Sequence, residues 1–232
     1  MMIRRLFTDI AGVYDRLNHL LSLGQDRRWR RIAVGMAQRS PRRILDLACG
    51  TGDLTFALAR RFLDAAISGV DFTPAMLDRA RTKAADSSNP TPITFVEGDA
   101  QRLSACEPPI DANAFDLVTC AFGFRNFPDP SAVLAEVRRA LVTDGELIVL
   151  EFFRPTDAVL GALTALWLRL MTALFARGHA SAYRHLRKSM RTTLTEQAFA
   201  DLARTHGLML AERRFLWPCC TCLRMTAAPT PG

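Results

Sequence analysis

A chain of 232 residues, 49% apolar and 23% charged, has the size and composition of one globular domain with a sizeable core, which excludes two full domains. No apolar stretch of the signal-peptide kind follows the basic residues near position 4, so we expect a cytoplasmic protein. The net charge of +7 indicates an anionic partner surface, either nucleic acid or the acidic face of a membrane. Much of this charge flanks Trp29, where a solvated helix face is the alternative interpretation.

The cysteines are spread through a medium-sized chain, whereas disulfide frameworks belong to small secreted domains, so we expect reduced thiols. The six are Cys49, Cys106, Cys120, Cys219, Cys220 and Cys222. Cys219 and Cys222 have the spacing of a zinc ligand pair, but no second pair is spaced to complete a site. We therefore predict no metal and interpret these cysteines as buried strand residues.

Short apolar runs alternate with helix-length segments along the chain. The predicted strands are 43–47, 66–70, 93–96, 115–121 and 147–152. The predicted helices between them are 54–62, a segment opened by Pro74, and 133–141. A further helix over 196–205 precedes two runs, 208–210 and 220–225, which we expect to pair as a hairpin. This order predicts an α/β, Rossmann-like sheet of seven strands, mostly parallel with a C-terminal antiparallel hairpin, and helices on both faces.

Residues 159–176 form an almost wholly apolar segment whose only charge is Arg169. Its length approaches that of a membrane span, but an arginine in mid-span costs about 2.5–3.5 kcal/mol on insertion. We therefore predict a helix that covers an apolar pocket or rests on the bilayer surface. The tail over 227–232 is predicted to be disordered.

Three predicted strands end in residues suited to a nucleoside ligand. After the first strand, residues 46–53 (DLACGTGD) place glycines where open α/β sheets bind ligands, although a dinucleotide would fit equally well. Asp71 ends the second strand, where a carboxylate can accept both ribose hydroxyls. Asp99 follows the third strand and can accept from the amine of adenine. Each aspartate alone could instead be a helix cap.

The first loop, Asp71 and Asp99 together resemble the class I S-adenosylmethionine-dependent methyltransferases. The resemblance implies S-adenosylmethionine as cofactor, held by Asp46, Gly50, Thr51, Gly52, Asp71, Asp99, Ala100 and Ala121.

Two further segments narrow the resemblance. Residues 7–30 and 121–127 (AFGFRNF), with 150–152, are similar to the UbiE/MenG family of quinone-ring C-methyltransferases. The similarity covers about 7–155 well, and 182–186 with Ser189 only faintly. Asp26 stands where the family usually has histidine, 142–145 replace a Lys-Pro-Gly-Gly turn, and Phe153 replaces a common serine.

This resemblance implies one methyltransferase domain over 1–226, with a helical lid (1–40), a cofactor-binding core (43–155) and an apolar helical insertion over the substrate pocket (156–190). The implied substrate is a prenylated quinol on the menaquinone or ubiquinone pathway. The implied partners are this quinol and, peripherally, the membrane, without nucleic acid, and a homodimer remains open.

Methylation of a ring carbon requires a phenolate, which Arg125 could stabilise directly or by orienting a water that takes the proton. Asn126 could anchor the other ring oxygen, and Tyr14, Asp15 and Asn18 are the candidate lid residues. The bland alternatives are an ion pair of Arg125 with an acid such as Asp129, and core packing for Tyr14. The histidines at 19, 179, 185 and 206 have no spacing that indicates a role.

Three rival functions fit parts of the sequence. An RNA methyltransferase would suit the high pI, but the segment after the fourth strand reads Ala-Phe-Gly-Phe-Arg-Asn rather than Asn/Asp-Pro-Pro-aromatic. A small-molecule enzyme acting on another phenol is the closer alternative. A non-catalytic assembly subunit is disfavoured by the intact cofactor loop.

Overall fold

The computed structural model describes residues 2–87, 90–175, 180–216 and 220–229. Its strands form one seven-stranded sheet in the order β3-β2-β1-β4-β5-β7-β6. The strands are β1 (Arg43–Leu47), β2 (Ala66–Asp71), β3 (Ile93–Glu97), β4 (Phe115–Ala121), β5 (Leu141–Glu151), β6 (Leu208–Leu216) and β7 (Cys220–Ala227). The first five are parallel, and β7 runs antiparallel between β5 and β6. The predicted fold class is therefore confirmed.

Helices lie on both faces of this sheet. Their bounds are α1 (Met2–Ile10), α2 (Tyr14–Leu21), α3 (Gln25–Gly35), α4 (Asp53–Arg61), α5 (Pro74–Ala85), α6 (Pro130–Ala140), α7 (Ala158–Phe175), α8 (Ala180–Thr192) and α9 (Glu196–Thr205). Local chemistry sets several starts: Asp129 accepts from two backbone N–H groups at the beginning of α6, and Thr195 accepts from one in α9. Pro74 occupies the first turn of α5, as its missing N–H allows.

The apolar core forms two layers because the parallel strands are covered on both sides. Successive residues of β1 alternate between them: Leu45 and Leu47 pack with α6 and α9, and Ile44 packs with α3 and α4. All three leucine and isoleucine side chains are fully buried. Continuous apolar runs, rather than alternating ones, are what such strands require.

Strand and helix ends differ from the predictions in places where polar residues interrupt the apolar pattern. β5 begins at Leu141 instead of 147, because 142–145 read as a turn, and the register with β4 shifts there. α6 accordingly ends at Ala140. β6 extends to Leu216 through charged residues that suit an edge strand.

The prediction of a disordered tail from 227 onward is wrong at its start. Ala227 is a buried residue of β7, and the N–H of Ala228 donates to the carbonyl of Gly207. Residues 230–232 lie outside the described residues.

The long apolar segment forms α7, although its last residue, 176, is outside the described part of the chain. In that described part, no helix combines the length and apolarity needed to cross a bilayer. The five described cysteines are free thiols and buried, in agreement with their prediction, and Cys219 is not among them.

Candidate active site

The carboxyl ends of β1, β2 and β3 open into one large cavity. Its volume of about 1010 Å³ is at the upper end of ordinary ligand pockets, which span about 300–1,000 Å³. Its lining includes Ala48, Val70, Asp71, Phe72, Glu97, Gly98, Asp99, Ala100, Gln101, Asn126 and Phe127. A smaller recess shares Ala48 with it and is lined by Tyr14, Asp46, Gly50, Thr51 and Ala121. The predicted cofactor residues other than Gly52 thus surround two joined spaces.

The glycine turn after β1 is held against the end of β2 by Asp71. Gly50 and Gly52 have φ values of +56° and +85°, in the left-handed region that glycine tolerates best. The N–H of Gly50 donates to Asp71 Oδ2 at 2.9 Å, and the N–H of Thr73 donates to Oδ1 at 2.8 Å. Burial raises the pKa of Asp71, and these N–H groups oppose the rise. Asp71 therefore fixes the turn before α5 as well as lining the cavity.

Asp99 has a more local set of contacts. Its Oδ1 accepts from the backbone N–H of Gln101 at 2.9 Å, and the Gln101 side-chain amide also reaches the carboxylate. The 3₁₀ turn that follows is Leu103–Ala105, with Arg102 at its N-cap position, so Asp99 does not cap it. The carboxylate remains part of the cavity lining beside Gly98 and Ala100.

Asp46 is almost completely buried beneath the turn. Its Oδ2 accepts from the Thr55 hydroxyl at 2.6 Å, and its Oδ1 accepts from the Thr119 hydroxyl at 2.7 Å. Burial raises the pKa of Asp46 to about 6, against the opposing effect of these hydroxyls. The carboxylate joins β1, β4 and α4 directly below the glycines, so its main contacts position the turn.

This raised pKa makes a prediction about stability. The pKa of Asp46 lies at 3.8 without the fold and at about 6 within it, which corresponds to about 3 kcal/mol. Since the folded state holds the proton more tightly, this contribution is complete below about pH 4 and is lost as the pH rises through about 6. Urea unfolding from pH 4 to 7 should therefore show a smaller decrease for Asp46→Asn than for the wild type. Parallel decreases would exclude Asp46 as the source.

A second pair of cavities shares lining residues with the two joined spaces, among them Tyr14, Asn126 and Phe122. One, of about 60 Å³, is lined by residues of α1, α2 and α8, and the other, of about 40 Å³, by residues of α2, α3 and α7. Both are mainly apolar and share Asn18, Leu21, Arg125 and Leu186. Aromatic rings form much of the lining of the second cavity. Phe122 stacks on Phe152 with 4.9 Å between the ring centroids, and Trp29 packs against both rings.

Arg125 lies in the short 3₁₀ helix Phe124–Asn126 that follows β4. It pairs with Glu151 at the end of β5, with 2.6 Å between Arg125 Nη1 and Glu151 Oε1, and it donates to the Phe122 carbonyl at 2.8 Å. The alternative interpretation, that Arg125 forms an ion pair, is therefore correct. Its partner is Glu151 rather than Asp129, which caps α6. Arg125 Nε is buried and has no hydrogen-bond partner among the described residues. The Arg125 side chain therefore lines both apolar cavities and carries one unpaired donor.

Asn126 is held at both ends of its amide. Its Nδ2 donates to the Phe122 carbonyl at 3.1 Å, and its Oδ1 lies 2.9 Å from His185 Nε2 on α8. Sequence reasoning assigned His185 no role, because 59 residues separate it from Asn126 and no spacing indicates the contact. The faint similarity over 182–186 was the only signal near it.

The predicted lid residues of α2 lie over the glycine turn. Burial raises the pKa of Tyr14, and its ring borders both the recess at Gly50 and the apolar cavity next to α1. Tyr14 also packs against Phe7, so the alternative of core packing holds as well. Asp15 accepts from the Thr51 hydroxyl and pairs with Lys83 at 2.7 Å. α2 therefore contacts the cofactor turn directly.

Asp26, which replaces the family histidine, forms a buried ion pair. Its Oδ2 lies 2.6 Å from Arg30 Nη1, and Ser22 and His19 contact its Oδ1. Burial would raise the pKa of Asp26, but the charge and hydrogen bond of Arg30 lead the effects that bring it below its usual value. The substitution leaves a carboxylate that fastens α2 to α3.

The sheet order and the glycine turn after β1 define the fold of the class I S-adenosylmethionine-dependent methyltransferases. A methyltransferase from Thermotoga maritima that is described as S-adenosylmethionine-dependent has this fold, with a TM-score of 0.66 and 18% identity, covering 96% of this chain and 99% of that one. YcgJ from Bacillus subtilis also shares it, with a TM-score of 0.64 and 16% identity over 88% and 99% of the two chains.

The chain belongs to the ubiE/COQ5 methyltransferase family, whose model matches residues 1–224. It is 42% identical to the demethylmenaquinone methyltransferase of Deinococcus radiodurans over 91% of this chain and 86% of that protein. Identity to the enzyme of the same name from Thermus thermophilus is 40%, over 87% and 90% of the chains. The ubiquinone/menaquinone biosynthesis C-methyltransferase UbiE of Citrifermentans bemidjiense is 43% identical over 66% of this chain and 64% of that protein. The resemblance inferred from the sequence is confirmed at the level of the family, and the chain is a methyltransferase.

Proposed function

We propose that this chain transfers a methyl group from S-adenosylmethionine to a ring carbon of a prenylated quinol in menaquinone or ubiquinone biosynthesis. The substrate would be demethylmenaquinol, 2-polyprenyl-6-methoxy-1,4-benzoquinol, or both. The observation that carries the proposal is Arg125, whose side chain lines an aromatic cavity and whose buried Nε has no hydrogen-bond partner among the described residues. The names of the similar proteins support the same chemistry.

The residues at the strand ends fit S-adenosylmethionine in both size and chemistry. Asp71 would accept from the ribose hydroxyls and Asp99 from the adenine amine, and the glycines would let the backbone approach the rest of the ligand. Acidic side chains on the lining, including Asp71 and Asp99, favour a ligand that carries positive charge. When bound, the cofactor supplies an electrophilic methyl group and leaves as the neutral thioether S-adenosylhomocysteine.

Arg125 would stabilise the acceptor in its reactive form. Loss of a hydroxyl proton makes the quinol ring electron-rich, and the resulting oxyanion would accept from the guanidinium of Arg125. A donor fixed in advance is effective because no reorganisation is needed during the reaction. Glu151 and the Phe122 carbonyl fix the guanidinium. The ring carbon then gains the methyl and loses its hydrogen as a proton. The oxygen regains a proton, so that one proton is released overall.

The helices around the site would exclude water and align the reactants. We propose a single domain over 1–226 in which 1–40 form the lid, 43–155 bind the cofactor and 156–190 cover the quinol. Contacts of Tyr14 and Asp15 with the cofactor turn, and of α2 with α7, support this division. Such closure would raise the reaction rate by aligning the ring carbon with the methyl group.

Deleting the gene and extracting the quinones tests the proposal directly. The host should accumulate a demethyl quinone, and the wild-type gene should restore the methylated form. Asp71→Ala should fail to restore it, because a scaffolding role would survive loss of the cofactor and catalysis would not. An unchanged quinone profile in the deletion strain would reject the substrate class.

Peripheral membrane contact is the second part of the proposal. One face of α7 presents Val159, Leu163, Leu166 and Leu170, each more than half exposed. They recur three or four residues apart, so they form a continuous apolar stripe. α2 packs against α7 and α3, and α3 carries the exposed Arg27, Arg28 and Arg31, as an amphipathic surface for an anionic bilayer would.

Vesicle co-sedimentation measures this contact. Leu163→Glu combined with Leu166→Glu should lower binding to vesicles containing phosphatidylserine by tenfold or more, since both charges would enter the interface. Met209→Glu, at an exposed position on the edge strand β6, should bind like the wild type. Equal binding by all three proteins would contradict the role of the stripe.

A further inference from the structure

The site as described lacks an assigned proton acceptor. Arg125 cannot take the hydroxyl proton, because a guanidinium stays protonated at any ordinary pH. Burial raises the pKa of Tyr14, which keeps that phenol protonated. Asp26 lines the neighbouring cavity, but its carboxylate is bound to Arg30, and its lowered pKa makes it a weak base. The acceptor of the hydroxyl proton is therefore another polar group at these cavities.

His185 lines the cavity of about 60 Å³ together with Tyr14, Asn18, Arg125 and Asn126. Among the described residues on this lining, it is the one side chain with a basic nitrogen that titrates near neutral pH. The rings of Phe7 and His185 pack edge to face with 6.3 Å between their centroids, so an apolar contact also holds the imidazole in place. The position suits a proton acceptor next to the guanidinium.

Hydrogen bonding fixes which nitrogen is basic. Because Asn126 Nδ2 donates to the Phe122 carbonyl, Asn126 Oδ1 must be the atom that faces His185. An amide oxygen only accepts, so His185 Nε2 carries the hydrogen and Nδ1 has the lone pair. Nδ1 has no hydrogen-bond partner among the described residues. Two residues that line this cavity thus carry unpaired groups: His185 has a free acceptor at Nδ1, and Arg125 has a buried donor at Nε.

We infer that His185 is the general base of the methyl transfer, taking the hydroxyl proton of the quinol at Nδ1 while Arg125 stabilises the oxyanion. This role rests on the proposed function. As the ring carbon forms its bond to the methyl and releases its hydrogen as a proton, the oxygen regains a proton, and one proton leaves to solvent. Asn126 acts as a positioning residue that fixes the tautomer.

The charges around His185 keep it ready to accept. Burial lowers the pKa of His185, and the positive charges of Arg125 and of Lys188 on the same helix lower it further. From α2 the facing titratable group is Tyr14, which is neutral, and from α1 the contact is Phe7. The imidazole is therefore neutral at pH 7, and activity should rise with pH through a value below 6.5 and then level off.

His185→Gln is the diagnostic variant, because glutamine can still donate to Asn126 Oδ1 but cannot accept the proton. We expect kcat to fall about 10²-fold, as loss of a general base typically causes. The cofactor Kd should stay within about twofold of the wild type, and the acidic limb of the pH profile should disappear. The matched control is His206→Gln, whose histidine bonds Ser131 on α6, and it should keep both rate and profile.

The outcomes separate cleanly. Wild-type turnover in His185→Gln, or a reduced rate with the acidic limb retained, overturns the base role and leaves the proposed function intact. Lost cofactor binding in His185→Gln would also overturn it, because the effect would then be structural. A wild-type protein that binds the cofactor but methylates neither quinol overturns the proposed function itself.

Discussion

Arg125→Ala is expected to lower turnover by at least about 10²-fold and to destabilise the fold by about 3–5 kcal/mol. The expected catalytic loss follows from removal of the guanidinium that we propose stabilises the oxyanion. The loss of stability has a separate cause, since Glu151 is 0% exposed and would remain buried without its counter-charge. Turnover and urea unfolding, measured on the same protein, report the two effects.

A double variant separates catalysis from folding. In Arg125→Ala with Glu151→Gln, no charge is left unpaired, and the glutamine oxygen can still accept from the backbone N–H of Phe152. Most of the free energy of unfolding should return, whereas turnover should stay low. If turnover returned together with stability, Arg125 would have no role beyond neutralising Glu151.

Asp71→Ala is expected to weaken cofactor binding by more than about 10²-fold. Hydrogen bonds to a carboxylate contribute about 1.5–3 kcal/mol each, and the variant would lose those to the ribose together with the anchor of Gly50. Asp71→Asn keeps one acceptor oxygen, so its affinity for the cofactor should lie between those of the wild type and of Asp71→Ala. Calorimetric titration with S-adenosylhomocysteine measures the change.

Asp78→Ala is the control for this comparison. Asp78 lies on α5, which Asp71 precedes, but its carboxylate is 71% exposed and pairs only with Arg81 among the described residues. It should bind the cofactor like the wild type. Wild-type affinity in Asp71→Ala would remove the second strand end from the cofactor site.

The sequence predicted the sheet well because its strands are buried on both faces and read as unbroken apolar runs. β1 and β4 have the predicted bounds. The prediction failed where charge hides a strand: β6 continues through Glu212 and Arg213, which an exposed edge tolerates and an apolar pattern cannot reveal. The early start of β5 was missed because a glycine-containing segment there has the composition of a turn.

The candidate site was predicted in part, because positions at strand ends follow from topology but side-chain partners do not. The aspartates at 71 and 99 were expected at one edge, and the structure has them lining one cavity. The pairing of Arg125 with Glu151 depends on the neighbouring strand, and the contact between Asn126 and His185 depends on how α8 folds back. Neither contact has a local signature.

The helix α2 borders both the recess at the glycine turn and the two apolar cavities. Tyr14 and Asp15 face the glycine turn, whereas Asn18 and Leu21 line both apolar cavities one helical turn further along. We therefore expect the first ligand that binds to order this eight-residue helix for the second ligand. Such cooperativity must be reciprocal. The quinol should raise the affinity for the methyl donor by the same factor by which the donor raises the affinity for the quinol.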